Sequence, residues 1–260
     1  MKLIILTENF AGSGLLAEHG LSYIIEHENE KFLFDTGPTN VFIKNANKLG
    51  INVQKEIDTV ILSHGHWDHG DGLEHISNKT LITHPNSFMK RFRKKDHSYL
   101  GLKLSKDEIE KQFNLVLKKE AFAITKNIIF LGQVPRKTDF ESKTTPFLDD
   151  KEQPDFVMDD SAITVIQNNE LIIITACSHA GICNIIEHAK KVTGINTVKA
   201  VIGGFHLKQN NLQTKETINY LIKNNIKEIY PSHCTALPAL AAFHEVFNTE
   251  QLKTGMILNF

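Results

Sequence analysis

Apolar positions along the chain follow two periods. Short runs rich in Val, Ile, Leu and Phe are typical of β-strands, and apolar residues spaced three or four positions apart are typical of helices. Strands are predicted at residues 3–7, 22–26, 31–34, 58–63, 162–167, 171–175, 198–202 and 228–230. Helices are predicted at residues 41–49, 105–118, 182–192, 214–224 and 238–247. Because strands alternate with helices, the pattern favours an α/β-type domain.

The stretch from residue 84 to residue 154 interrupts this alternation. It is rich in Lys, Phe and Asp, and its strand signals are weak. Ser105 and Glu108 form a capping-box pattern, which predicts the start of its one helix. We interpret the stretch as an insertion or lid over one end of the core. Since the 260 residues contain no repeat and no linker-like tract, a single domain over residues 1–260 is predicted.

Polar, site-like residues follow five of the predicted strands directly. The five motifs are Asp35-Thr36-Gly37, the stretch 64–71, Cys177-Ser178-His179, Gly203-Gly204-Phe205-His206 and Ser232-His233-Cys234. Loops at strand ends on a rigid scaffold often hold functional groups. If these strands share sheets, their ends could converge on one functional locus.

The densest of these motifs contains four metal-type ligands within six residues: His64, His66, Asp68 and His69. Neutral imidazole and carboxylate are suitable ligands for zinc, iron or manganese. On a tight loop the four side chains can point in different directions and divide between two ions. More distant residues would complete each site, and His179 and His233 are candidates. The alternative is a histidine-rich surface loop, but the density and the preceding strand favour a metal site.

Composition and charge narrow the class of protein. The formal net charge is -1, so no charge excess indicates a nucleic-acid partner. The basic run at residues 90–95 is interpreted as a solvated helix face rather than a polyanion site. No apolar run reaches membrane-spanning length, and three cysteines are too few for a disulfide framework. We therefore expect a cytoplasmic protein without a membrane partner, whose oligomeric state the sequence leaves open.

Residues 64–70, His-Gly-His-Trp-Asp-His-Gly, resemble the signature of the metallo-β-lactamase superfamily. Further motifs resemble the branch named for 7,8-dihydropterin-6-methyl-4-(β-D-ribofuranosyl)aminobenzene-5′-phosphate synthase. They lie at residues 18–22, 34–37, 135–141, 176–182 and 203–207. The resemblance implies an α/β (α+β) fold, a four-layer αββα sandwich with the metal site at one edge of its two central sheets.

The resemblance also implies a ligand set for one or two transition-metal ions. The ligands of the first ion would be His64, His66 and His179. The ligands of the second would be Asp68, His69 and His233. Asp35 would be a supporting carboxylate near the site. Zinc is the expected metal, with iron or manganese as alternatives.

One departure from the superfamily pattern concerns the strand predicted at residues 198–202. Many members have a bridging aspartate after this strand, whereas this chain has Gly203-Gly204-Phe205-His206. His206 would replace that ligand, bind an anionic substrate or transfer protons. Without a bridging carboxylate the second ion would be held less firmly, so a single-metal site is the alternative.

The expected function is that of a metal-dependent hydrolase or transferase acting on a small phosphorylated or pyrophosphorylated, hence anionic, compound. Asp68 would orient the nucleophile or accept its proton, and His206 would stabilise charge or protonate the leaving group. Arg136 would hold a substrate phosphate through its planar guanidinium. In the hydrolase interpretation water attacks the substrate, and in the synthase interpretation an aryl nucleophile displaces pyrophosphate. The alternatives are a non-catalytic metal- or ligand-binding protein and a di-iron redox protein.

Overall fold

Two compact units make up the protein in the computed structural model, which describes residues 1–260. Unit 1 consists of Met1–Lys118, Pro146–Asp155 and Leu252–Phe260. Unit 2 consists of Lys119–Thr145 and Phe156–Gln251. Each unit has its own sheet, helices and hydrophobic core, while one domain over the whole chain stays a prediction.

Strands and helices alternate over much of the chain, as the apolar pattern indicates. The strands are β1 (Lys2–Thr7), β2 (Ser22–His27), β3 (Glu30–Phe34), β4 (Thr59–Ile61), β5 (Lys79–Thr83), β6 (Arg91–Arg93), β7 (Phe113–Leu117), β8 (Phe122–Ala123), β9 (Ile128–Phe130), β10 (Phe147–Asp149), β11 (Ala162–Gln167), β12 (Glu170–Thr175), β13 (Val198–Gly204), β14 (Glu228–Ser232) and β15 (Ile257–Asn259). The helices are α1 (Val41–Lys48), α2 (Val53–Glu56), α3 (Trp67–Gly70), α4 (Lys106–Gln112), α5 (Ile182–Thr193), α6 (Leu212–Lys223) and α7 (Leu237–Phe247). None of them has both the length and the apolar character needed to cross a bilayer.

Unit 1 is built on a seven-stranded mixed sheet in the order β15-β1-β2-β3-β4-β5-β7. β1, β2 and β3 are antiparallel neighbours, and β3, β4, β5 and β7 run parallel. Ile4 of β1 shares a buried cluster with Phe42 and Ala46 of α1. Leu3, on the opposite face of the same strand, is also fully buried.

Unit 2 is built on a six-stranded sheet in the order β14-β13-β12-β11-β9-β8. β12, β13 and β14 run parallel, so their carboxyl ends lie at the same edge of the sheet. Ile185 of α5, Leu221 of α6 and Phe243 of α7 pack into one buried cluster with Ile173 and Val201 of the sheet. Helices that leave parallel strands and pack back on the sheet are the usual α/β solution.

The strands predicted at residues 162–167 and 171–175 are confirmed as β11 and β12, and they form a hairpin. The two strands pair from Gln167↔Glu170 to Ala162↔Thr175. The turn residues Asn168 and Asn169 have φ values of 53° and 61°, and asparagine tolerates this left-handed region because its side chain can bond the local backbone.

The predicted helix at residues 105–118 is wrong in its second half. The capping box at Ser105 and Glu108 is present and starts α4, which ends at Gln112. Residues 113–117 instead form β7, which pairs parallel with β5. Phe113 is buried in the core of unit 1, so sheet pairing and packing outweigh the helical spacing of the apolar residues.

The basic run at residues 90–95 is not the helix face that its charge pattern indicates. It contains β6, paired with β10, and the Arg91 side chain is fully buried. Arg91 Nε lies 3.1 Å from Asp155 Oδ2, and its Nη2 donates to the carbonyl of Asn86. One residue of the run is therefore part of a buried ion pair that ties the start of the 84–154 stretch to the residue just after it.

The stretch 84–154 also contains more sheet structure than its weak strand signals indicate. It supplies β7 to the sheet of unit 1, and β8 and β9 to the sheet of unit 2. β7 and β9 pair with β5 and β11, which lie far away in sequence, so local composition does not reveal these two strands. A lid function for the remainder of this stretch stays a prediction.

We expect Arg91→Met to lower the free energy of unfolding by about 3–5 kcal/mol, because it leaves the Asp155 carboxylate buried without its guanidinium. The double variant Arg91→Met/Asp155→Leu should regain most of that stability, since an apolar pair removes both buried charges. Urea unfolding measures both. Lys94→Met, an exposed neighbour in the same run, is the matched control and should change stability by less than about 0.5 kcal/mol. Equal stability of Arg91→Met and Lys94→Met would contradict the structural role of the pair.

Candidate functional site

The four adjacent metal-type ligands lie in unit 1, on the loop after β4 and in the short helix α3. His64 and His69 are fully buried, and His66 and Asp68 are more than nine-tenths buried. His66 is the N-cap residue of α3, and Asp68 lies in its first turn. The sequence therefore places three imidazoles and one carboxylate in the interior at the end of a strand.

Asp35, after β3, is the carboxylate that organises this cluster. Its Oδ1 accepts a 2.8 Å hydrogen bond from the backbone N–H of Ser63, and its Oδ2 accepts one of 2.8 Å from the Ser63 hydroxyl. Oδ2 also lies 2.8 Å from His69 Nδ1. β3 and β4 are parallel neighbours, so residues just after the two strands meet at one sheet edge. The predicted supporting role of Asp35 is consistent with these contacts.

These bonds determine which nitrogen of each ring has a lone pair. His69 Nδ1 donates to Asp35, so His69 Nε2 is left as the acceptor. The single hydroxyl hydrogen of Ser63 goes to Asp35, so its oxygen accepts from His64 Nδ1 at 2.9 Å. His64 Nε2 is then also an acceptor. Each ring in its neutral form therefore has its lone pair on Nε2, where it can bind a metal.

The donor atoms within unit 1 are close enough to share cations. His64 Nε2 lies 3.1 Å from His66 Nδ1, while two imidazoles on one tetrahedral zinc ion have nitrogens about 3.3 Å apart, given Zn–N bonds of about 2.0–2.1 Å. Asp68 Oδ2 lies 3.7 Å from His69 Nε2. Imidazole and carboxylate donors at these separations fit a divalent transition metal.

Glycine is required at position 65 for close packing. A Cβ on Gly65 would lie 1.7 Å from the carbonyl oxygen of Ser87, which is far inside van der Waals contact. The loop that holds His64 and His66 is therefore pressed against the backbone of the segment after β5. This close approach, rather than an unusual backbone angle, explains the glycine.

His19 is a residue near this cluster that the strand-end pattern does not identify. Its Nε2 lies 3.3 Å from Asp68 Oδ2, its ring centroid is 6.0 Å from that of Trp67, and its side chain is 59% exposed. It precedes β2, and β2 is antiparallel to β3. The start of β2 therefore lies at the same edge as the end of β3, which a search for residues after strands misses. The motif at residues 18–22 was its only sequence signal.

Ser63 is a second residue that sequence reasoning missed. Its backbone and hydroxyl bridge Asp35 and His64, as described above. A serine at the end of a strand has no distinctive spacing, so nothing in the sequence separates it from a residue that merely ends the strand.

In unit 2, the predicted residues His179, His206 and His233 follow the three parallel strands β12, β13 and β14. The ring centroids of His179 and His206 are 4.4 Å apart. His206 and His233 have φ values of 52° and 47°, a left-handed conformation that costs about 1–3 kcal/mol for such residues and is concentrated at functional sites. The parallel register brings these residues to one edge of the sheet.

Asp160 holds the loop that contains His179. Its Oδ2 accepts a 2.8 Å hydrogen bond from the backbone N–H of Ala180, and a further bond comes from the backbone of His179. Burial raises the pKa of the Asp160 carboxyl to about 6, against the opposing effects of these bonds and of the Arg136 charge. Asp160 therefore positions the backbone of His179.

Two cysteine thiols lie next to these histidines. Cys177 and Cys234 are buried and are not in a disulfide, and their Sγ atoms and a ring nitrogen of His206 all lie within 4.8 Å of one another. Burial alone would raise the pKa of the Cys234 thiol, but hydrogen bonds with Cys177 and His206 and the charges of His206 and His233 bring it well below its ordinary value. The pair thus belongs to the same strand-end cluster.

Arg136 lies in unit 2, where its guanidinium has several partners of its own unit. Nε donates to the Ser142 hydroxyl at 2.9 Å, and Nη2 donates to the carbonyls of Phe156 and Val157. These bonds tie the motif at residues 135–141 to the segment before β11. A role in holding substrate phosphate stays a prediction.

Comparisons with known proteins agree with this architecture. The sequence profile of the metallo-beta-lactamase superfamily matches residues 16–85. The solved structure of Tm1679, described as a metal-dependent hydrolase of the β-lactamase superfamily, superposes with a TM-score of 0.89 at 26% identity and covers 100% of this chain and 99% of that one. The α/β fold class expected from the sequence is confirmed.

Two curated relatives from Methanocaldococcus jannaschii match over nearly their full length. One is a 7,8-dihydropterin-6-methyl-4-(beta-D-ribofuranosyl)-aminobenzene-5'-phosphate synthase, 35% identical over 285 residues, covering 100% of this chain and 97% of the relative. The other is the uncharacterized protein MJ0448, 31% identical over 260 residues and covering 98% of each. The signature motif, the fold and these full-length relatives agree, and the chain belongs to the metallo-β-lactamase superfamily.

Proposed function

We propose that the protein is a metal-dependent enzyme that acts, by hydrolysis or group transfer, on a small phosphorylated or pyrophosphorylated compound. The observation that carries this proposal is the buried set of His64, His66, Asp68 and His69, with two ring tautomers held by Asp35, in a chain 35% identical to a synthase of a phosphate-containing compound. Buried imidazoles whose lone pairs are oriented by hydrogen bonds are typical of metal ligands rather than of histidines that only pack in a core.

The donor chemistry suits one or two divalent transition-metal ions, with zinc first and iron or manganese as alternatives. Proposed ligands are His64, His66, Asp68 and His69 in unit 1 and His179 and His233 in unit 2. When bound, such an ion lowers the pKa of water and polarises a phosphoryl oxygen. This chemistry favours a small anionic substrate. A cytoplasmic location stays a prediction.

Asp68 is proposed to orient the nucleophile and to accept its proton. The Asp68 side chain is 11% exposed, so its carboxylate can contact a substrate. His19 Nε2, 3.3 Å away, is placed to hold that carboxylate in position. His206 is half-buried and keeps its three possible roles of metal ligand, substrate contact or proton donor.

Hydrolysis and group transfer need the same anion-binding, metal-assisted chemistry, and they differ in the nucleophile. In hydrolysis, water attacks and orthophosphate or a hydrolysed ester is released. In the transfer reaction, an aryl nucleophile displaces pyrophosphate. The name of the 35% identical relative favours testing the transfer reaction first.

Metal-loaded protein should turn over at least one member of a panel of phosphomonoesters, phosphodiesters and dihydropterin diphosphates offered with and without an aryl nucleophile. Release of orthophosphate, of pyrophosphate and of the aryl adduct is measured separately for zinc, manganese and ferrous iron. Asp68→Asn should lower kcat about 100-fold or more, because it removes the proton acceptor.

His97→Asn is the matched control for this assay, since His97 is exposed in unit 1 and its left-handed backbone suits asparagine. It should keep the native rate. If the fully metal-loaded native protein leaves every compound of the panel unchanged, the proposed function is contradicted.

Elemental analysis of protein purified without added metal tests the ligand set. We expect the native chain to contain one or two equivalents of a transition metal, and His64→Ala and His233→Ala each to contain less, because each removes a donor that the family resemblance assigns. Metal content equal to native in both variants, or no metal in the native chain after reconstitution, would contradict the assignment.

Asp35→Asn should weaken metal binding about 10–100-fold without abolishing it, because it removes the charge and the acceptor that hold His69 Nε2 as a lone-pair donor. Competition with a chromophoric chelator measures the affinity. Asp150→Asn, an exposed carboxylate of unit 1, should bind metal as the native chain does. Unchanged affinity in Asp35→Asn would show that its bonds to Ser63 and His69 do not support the ligands.

A further inference from the structure

We infer that unit 2 contains a thiolate–imidazole metal site formed by Cys177, His206 and Cys234. The inference deepens the proposed function, because it chooses the ligand role for His206. It rests on that function only in taking a divalent transition metal as the bound group. No part of the ligand set predicted from the sequence includes a cysteine.

The topology of unit 2 brings these three residues together. Each follows one of the parallel strands β12, β13 and β14, and the register pairs Ile174 with Ile202 and Ile202 with Tyr230. Each of the three residues therefore lies three or four positions beyond the matched residue of its strand. They meet at one edge of the sheet although they are distant in sequence.

The distances between the donor atoms suit one ion. All three atoms lie within 4.8 Å of one another. On a tetrahedral zinc ion, with Zn–S of about 2.3 Å and Zn–N of about 2.0–2.1 Å, two sulfurs lie about 3.8 Å apart and a sulfur and a nitrogen about 3.6 Å. Separations of no more than 4.8 Å exceed these values by about 1.2 Å at most, so the three donors are close enough to share one ion.

The backbone around the thiols leaves room for them and holds them in place. A Cβ on Gly204 would lie 2.5 Å from Cys234 Sγ and 2.3 Å from the carbonyl oxygen of Ala176, so only glycine fits there. The backbone N–H of Gly204 donates to Ala176, and that of Phe205 donates to the Thr235 hydroxyl at 2.9 Å. The loops after the three strands are thereby bonded to each other, which is the rigid support that a metal site needs.

The donor types select the metal. Two thiolates and one imidazole favour zinc, iron or cobalt, whereas magnesium, calcium and manganese prefer oxygen donors. Three protein ligands also leave a fourth position open, as in catalytic zinc sites. The alternative for two buried cysteines is simple packing as small apolar side chains, and it offers no reason for His206 to adopt a left-handed backbone beside them.

Cobalt(II) distinguishes this site from the histidine and carboxylate ligands, because only thiolate ligation gives a sulfur-to-cobalt charge-transfer band in the near ultraviolet. We expect reduced, metal-free native protein to develop this band on addition of cobalt(II). Cys177→Ser and Cys234→Ser should each lose about half of its intensity, since each removes one of two Co–S bonds, and the double variant should lose all of it. His206→Ala should require more cobalt to reach the same band.

Cys183→Ser is the matched control, because Cys183 is equally buried but lies in α5 and is outside the cluster. It should keep the full band. Circular dichroism checks that each variant is folded, and titration of the denatured native protein should find three free thiols.

The outcomes separate this inference from the proposed function. Cobalt binding without a charge-transfer band would overturn the thiolate site and leave the histidine–carboxylate metal centre standing. A band that survives in the Cys177→Ser/Cys234→Ser double variant, or one that is lost in Cys183→Ser, would also overturn it. A single free thiol that is absent from Cys183→Ser would show that Cys177 and Cys234 form a disulfide, and it would overturn the site. Failure to bind cobalt at all would count against both proposals.

Discussion

The carboxylate of Asp35 is the interaction on which the chemistry of unit 1 depends. It is fully buried, so its charge is stable only because Ser63 and His69 donate hydrogen bonds to it. Those same bonds fix the ring tautomers of His69 and, through Ser63, of His64. The buried carboxylate, which would otherwise destabilise the fold, thus orients two imidazoles so that each can bind a cation through Nε2.

Unit 2 uses buried carboxylates in a comparable way, but they bind backbone rather than rings. Asp160 accepts N–H groups of the His179 loop, and Glu141 accepts the backbone N–H groups of Cys183 and Asn184 at the first turn of α5. Burial raises the pKa of the Glu141 carboxyl, and these helix N–H groups oppose that rise. The motif at residues 135–141 is therefore explained in part by helix capping.

Arg136 and Arg91 both have partners within their own units. The guanidinium of Arg136 donates hydrogen bonds to backbone carbonyls, and that of Arg91 forms an ion pair with Asp155. Charge runs and motif membership suggested surface or substrate contacts for such residues. In the folded chain, several donors of each guanidinium are already bound by other groups of the protein.

Sequence alone determined the α/β class, most element positions, the capping box of α4 and the histidine–aspartate cluster, because these follow from local periodicity and from ligands that are adjacent in the chain. Tertiary structure decided the strand at residues 113–117, the burial of Arg91 and the grouping of Cys177, His206 and Cys234. It also decided the position of His19, which precedes its strand rather than following one. Each of these depends on strand pairing across long sequence separations, and the register of such pairing is set by packing rather than by local pattern.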